Sequence, residues 1–149
     1  MRVPQCKGIS LVELVVIVTM IGIVAAFAVP RFTHLQNDVR ASEVVALSLN
    51  LRSVTEAAHA QYLKSGSTLA AVTLGGKAVR LQNGYPDAST FGIQRAILDA
   101  GDFTANAAVN SVTYSKHDAP TADECSVTYK ASTSPATAAT VTDLKTGGC

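Results

Sequence analysis

The chain has 149 residues, the length of one ordinary domain, and 48% of them are apolar. Twelve basic and 11 acidic side chains give a formal net charge of +1, so no sequence-wide field exists to recruit nucleic acid, and direct nucleic-acid binding is not expected. The apolar residues are concentrated: positions 9–29 hold 17 of them in 21, and the other 128 positions hold 54.

That segment is long enough to cross a bilayer, since about 20 apolar residues at ~1.5 Å each span the roughly 30 Å hydrocarbon layer. Eight residues precede it, with Arg2 and Lys7, a basic stub expected on the cytoplasmic side although Arg31 and Arg40 follow beyond. A secretory signal peptide is the alternative, and Ala26-Phe27-Ala28 resembles its cut site. Against it stand the length of the run and Glu13, because an ionised carboxylate inside a membrane costs about 3 kcal/mol or more without a partner. If the chain is cut between Gly8 and Ile9, the new α-amino group, with an ordinary pKa near 8, is a cation at the start of an apolar helix. Glu13 lies four residues on, on the same helical face, and is placed to neutralise such a cation in its own chain or in a neighbour.

Lys7-Gly8, Ile9-Ser10-Leu11-Val12-Glu13-Leu14, the apolar run through Gly22, and Pro30 resemble the class III signal of type IV pilins and pseudopilins. The resemblance implies cleavage after Gly8 by a prepilin peptidase, methylation of the Ile9 amine, and pairing of Glu13 with a neighbouring amino terminus in a helical filament. Ile9 and Ser10 stand where Phe and Thr are commoner. Pro30 has no N–H for the carbonyl of Ala26, so a kink or local melting is expected there. The family implies a helix that continues past that point and loosens between Gly22 and Pro30 in a fibre.

Residues 31–65 lack Pro and Gly, and Leu35, Val39, Ala46, Leu47, Leu51, Val54, Ala58 and Tyr62 recur near helical spacing. Lys64 and Gly66 form a stop signal. The joined helix has about 57 residues, roughly 85 Å if straight. Ala71–Leu74 and Lys77–Gln82 flank Gly75-Gly76 as a hairpin, and Asn83-Gly84-Tyr85-Pro86-Asp87 reads as a loop. Ser89 is placed to cap a short helix carrying Ile93, Ala96, Ile97 and Leu98, ended by Gly101. Strand composition returns at Ser111–Ser115, Cys125–Ala131 and Ala139–Leu144. The expected fold is α+β: a long N-terminal helix, first transmembrane and then amphipathic, packed on a small antiparallel sheet. The division is a leader at 1–8, a transmembrane and assembly helix at 9–30, and an extracytoplasmic domain at 31–149.

The Asn83–Asp87 stretch and the closing cysteines resemble the mannose-sensitive haemagglutinin type of pilin, although Gly84 and Pro86 also serve simply as turn residues. Of three cysteines, Cys6 lies in the stub, which leaves Cys125 and Cys149 as an even pair in the exported portion. A bridge between them is worth about 3.5 kcal/mol in the chain-entropy model, with two free thiols as the alternative. Gly147-Gly148 gives the backbone freedom to reach.

No phosphate-binding loop, dinucleotide fingerprint, zinc pattern or nucleophile elbow is present, so no enzyme, cofactor or metal is expected. His34, His59 and His117 are isolated, and His117-Asp118 with Asp123-Glu124 matches no calcium-loop spacing. Residues 131–142, rich in Ala, Ser and Thr, suit a variable surface segment or a glycan acceptor. The reading is a structural subunit of a type IV pilus, with adhesion, motility or DNA uptake as implied roles. Its implied partners are further copies of itself, the prepilin peptidase, the assembly machinery and the inner membrane before export to the surface. Within the family the rival is a type II secretion pseudopilin or a minor pilin; outside it, a membrane-anchored binding module.

Overall fold

The structure is a computed structural model that describes residues 9–97 and 100–149, with the side chains of residues 29–33 outside the description. It is an α+β arrangement. Helix α1 spans Leu11–Lys64, a range that takes in both Gly22 and Pro30. Three strands, β1 (Ala71–Leu74), β2 (Lys77–Gln82) and β3 (Tyr85–Pro86), form one antiparallel sheet in that order. A one-turn helix, α2 (Ile93–Ala96), leads to a second antiparallel sheet of β4 (Phe103–Ala107), β5 (Ser111–Lys116), β6 (Ser126–Lys130) and β7 (Thr140–Lys145). The chain divides into two compact units, one reaching to Gln36 and one of Asn37–Cys149.

The core belongs to the second unit. Val44, Leu47 and Leu51 of α1 pack with Ile93, Val112, Tyr114, Val127 and Tyr129. The register explains why two strands supply so much of it: Val112 faces Tyr129 and Tyr114 faces Val127 across β5 and β6, and all four are buried. On the other face of the same pair the Thr113 and Thr128 hydroxyls meet at 3.0 Å. A smaller cluster joins Ala58 of α1 to Ala96 and the cross-strand pair Val72 and Val79. The β1–β2 hairpin closes at Leu74 and Lys77 around Gly75 and Gly76, whose φ angles of 54° and 77° are those of a tight turn that β-carbons would strain.

Several expectations are corrected. The buried stripe of α1 runs through Val44, Leu47, Ser48, Leu51, Thr55 and Ala58, whereas Leu35, Val39 and Ala46 are exposed. The stripe therefore enters with two hydroxyl residues that an apolar count passes over. Their burial is affordable because Ser48 Oγ donates to the Val45 carbonyl at 2.7 Å and Thr55 Oγ1 to the Leu51 carbonyl at 2.6 Å. Ser89 does not cap α2, which starts after Gly92 with no side-chain cap and ends at Ala96. Ser89 Oγ instead accepts the Phe91 N–H at 3.2 Å and shapes the preceding turn. Leu98, expected in that helix, lies outside the described residues. The expected loop at 83–87 contains β3, strand β4 was not expected, and the single expected sheet is two.

Candidate functional site

The apolar segment begins at the sequence-predicted cleavage point. Gly8 and the rest of the expected leader lie outside the described residues. Ile9 and Ser10 precede α1, and the Leu14 N–H donates to the Ser10 carbonyl at 3.0 Å, closing the first helical turn. Glu13 stands in that turn, where the partial positive charge of the helix N-terminus favours an acid. Among the described residues it makes no ion pair. Leu11–Ala28 is long and apolar enough to cross a membrane, and none of its residues is buried. Leu11 and Phe27 are each 77% exposed. Gly22 has open space around its α-carbon. So many bare apolar side chains, each worth about 1.5–3 kcal/mol on burial, demand a covering of lipid or protein.

The Asn37–Cys149 unit carries a covalent closure. Cys125 and Cys149 are buried and bonded, with an S–S distance of 2.02 Å and α-carbons 4.8 Å apart. Arg40 donates from Nη1 to the Cys149 carbonyl at 3.2 Å, so the bridge is tied to α1 as well as to the sheet. Gly148 is there for closeness more than for freedom to reach: a β-carbon would meet the Thr121 carbonyl oxygen and Glu124 Cβ, each at 2.6 Å.

Within the same unit three polar groupings brace the fold, and the sequence alone pointed to none of them as a set. Lys116 of β5, 6% exposed at its side chain, meets Glu43 of α1 at 2.8 Å and Asp102 at 3.6 Å, and its ammonium lies 5.2 Å from the Phe103 ring centre. Burial pushes the Lys116 ammonium down, but Glu43 and Asp102 outweigh it and hold it above its ordinary range. The buried Asp87 carboxylate accepts from Arg80 Nε and from Ser89. Burial pushes its carboxyl up, but hydrogen bonds from Ser89 and Arg80 together leave it below the usual range. His59, far from isolated, stacks on Tyr85 with ring centres 4.1 Å apart and planes 5° from parallel, and its Nδ1 lies 3.1 Å from the Gly84 carbonyl oxygen. The acids near His117 do not gather: Glu124 pairs with Lys145 at 3.0 Å, and among the described residues no three metal-binding side chains converge.

A comparison with known proteins bears on this geometry. The type IV narrow pilus major component PilA5 of Thermus thermophilus is 39% identical over 49 residues, a match that takes in 33% of this chain and 42% of the relative. The chain thus spans less than half the length of that relative. No family model matches, and no solved structure does. The partial likeness to a type IV pilin accompanies a bare N-terminal helix, a bonded cysteine pair and an α+β unit. No signal in the sequence linked Lys116 to Glu43, 73 positions earlier, since nothing local marks an ion pair between a helix and a distant strand. His59 was read as isolated and Asn83-Gly84-Tyr85 as a loop, and only the fold brings them together.

Proposed function

We propose that this chain is the precursor of a structural subunit of a type IV pilus and not an enzyme. Prepilin peptidase cuts it after Gly8 and methylates Ile9. Residues 9–30 hold it in the inner membrane, and the assembly machinery then builds it into a helical homopolymer on a bacterial surface. Its Asn83–Asp87 stretch and cysteine pair favour the mannose-sensitive haemagglutinin type, with adhesion or motility as the role of the fibre. The observation that carries this reading is the unburied apolar helix Leu11–Ala28, with one acid in its first turn, ahead of a disulfide-closed α+β unit.

The physical logic is a change of solvent. In the membrane, lipid covers the helix; in a fibre, identical helices cover one another. Cleavage makes the transfer specific, because the ammonium of Ile9 at a helix N-terminus opposes the helix dipole and calls for an acid. Glu13 is that acid, and pairing it with the terminus of the next copy fixes the register between helices. Loss of Arg2 and Lys7 leaves 10 basic and 11 acidic side chains, near enough to neutral for like subunits to pack.

Mass spectrometry of the chain in sheared surface fibres tests the reading. Methylated Ile9 as the first residue is expected, and an intact Met1 in the fibre, or absence of the chain from it, overturns it. Absence from surface fibres with processing intact would favour the pseudopilin role. Glu13→Ala should still be cut, yet fibre number should fall on the order of a hundredfold, since losing one partner of a buried ion pair costs about 3–5 kcal/mol. Wild-type fibre numbers would remove the charge pairing.

A further inference from the structure

Two features of the Asn37–Cys149 unit play no part in assembly through the apolar helix, and they complement each other. Val109, between β4 and β5, is 94% exposed. Ala107, Ala108 and Asn110 beside it are exposed and uncharged. The tip is held firmly, with the Ala108 N–H donating to the Ser111 carbonyl and the Ala131 N–H to the Asn110 carbonyl, each at 2.8 Å. An apolar side chain is thus presented on a braced turn.

The second feature is a cleft of about 340 Å³ in which Arg52, Ala60 and Leu63 of α1 face Tyr85, Ala139 and Val141. Its walls are fixed: Tyr85 is stacked on His59, and Arg52 Nη2 donates to the Val141 carbonyl at 3.4 Å. The space is many times the ~30 Å³ share of one water and admits a branched aliphatic side chain. Arg52 and Glu56 at its rim balance in charge, which suits an uncharged visitor. Strand order sets the two apart. Both lie at one end of the four-stranded sheet, since Ser111 faces Lys130 and Lys130 faces Thr140, but the hairpin is at the β4 edge and the cleft beside the β7 edge, with strands spaced about 4.8 Å. The tip therefore does not fill the cleft of its own chain.

We propose that Val109 of one copy seats in the α1–β7 cleft of the next. In a helical fibre, where one screw operation relates every copy to the next, the knob of one copy in the hole of the next is a heterologous contact that repeats along the row. A second copy is the occupant because the same chain carries both halves, and because a hairpin tip buries far less than the roughly 1,200 Å² of a stable complex. Such a contact is weak between free subunits and effective once a shared backbone holds them together. The inference rests on the filament reading and extends it from the helix to the outer unit.

A photo-crosslinking amino acid at position 109 of the full chain, irradiated in assembled fibres, tests it. The expected adduct joins position 109 of one copy to a peptide within 52–63 or 138–141 of another. Val109→Asp, on an exposed site that leaves folding intact, and Ala60→Phe, which fills the cleft, should each weaken lateral cohesion and lower fibre recovery at least about tenfold after shear, with Leu11–Ala28 untouched. Fibres that contain the chain but give adducts elsewhere, or none, overturn the contact and leave the filament reading standing. If no fibres form, that reading falls, and the detergent-solubilised full chain at high concentration decides the contact by the same adduct: its presence sustains it, its absence ends it.

Discussion

Gly84 shows how a single position links the long helix to the sheets. Its φ of 83° follows Asn83 at 53°, and a β-carbon there would meet the Tyr62 ring at 2.5 Å and His59 Nδ1 at 3.3 Å. The bare α-carbon lets the turn press onto α1, and the Gly84 carbonyl then reaches His59. Asp87, three residues on, anchors the other side of the same turn. Its side chain is 7% exposed while that of Arg80 is 59% exposed, so the screened guanidinium contributes less than proximity alone implies and Ser89 matters more. A carboxyl held below its ordinary range gives full stabilisation above its unfolded pKa of about 3.9, and that stabilisation is lost as pH falls through the folded value. Asp87→Asn should cost about 1–3 kcal/mol at pH 7, and its deficit should shrink as pH falls below about 4, where the unfolded carboxyl takes up its proton before the folded one does. Urea unfolding at pH 7 and pH 3 checks this, and a deficit of equal size at both would deny the ionised form any role.

At the scale of elements, the disulfide ties the start of β6 to the stretch that follows β7. Cys125 adjoins β6, Cys149 follows β7, and 24 positions separate them in sequence. Between the two lie a β-bulge opposite Ser126 and Thr128, Asp143 at a φ of 53°, and the mostly exposed residues 133–138. This is the least regular strand pairing in the unit, so the bridge closes it where the ladder is weakest. Replacing both cysteines by serine should cost about 3.5 kcal/mol and open residues 131–142 to protease first. An unchanged urea midpoint and digestion pattern would assign the bridge no stabilising part. Elements with local marks were legible in the sequence: the helix stop at Lys64 and Gly66, the Gly75-Gly76 hairpin, and the Val-, Thr- and Tyr-rich strands β5, β6 and β7. Strand β4 was not, because after Phe103 and Thr104 the run Ala105-Asn106-Ala107 has no strand former and all but Phe103 are exposed, so it carries no alternation to read. β3 was hidden by its two-residue length and by Pro86, which the Tyr129 hydroxyl meets at the carbonyl at 2.6 Å. Glu13 and the apolar helix stood out because a charge inside a greasy run is a local anomaly. The Lys116 pairing did not, because its partners come together only through the fold.

For the molecule as a whole, the buried core and the bare apolar surface fall in different stretches of chain. Every buried residue among those described falls in the Asn37–Cys149 unit, as do the bonded cysteines and the ion pairs of Lys116 and Asp87. The apolar helix through Ala28 contributes no buried side chain and so no core energy to a single chain. A chain beginning at Asn37 should therefore fold, remain monomeric in dilute solution, and unfold in urea within about 1 kcal/mol of the full-length chain in detergent, the fraying of a shortened helix end being the main loss. Glu13→Ala in the full chain should leave that midpoint unmoved while fibre number falls on the order of a hundredfold, since under the proposed pairing the acid acts between copies and not within the fold. Parallel urea titrations of the truncated chain and the Glu13 variant, read beside fibre counts, separate the two roles. A truncated chain that fails to fold would mean that the apolar helix braces the outer unit as well as joining one copy to the next.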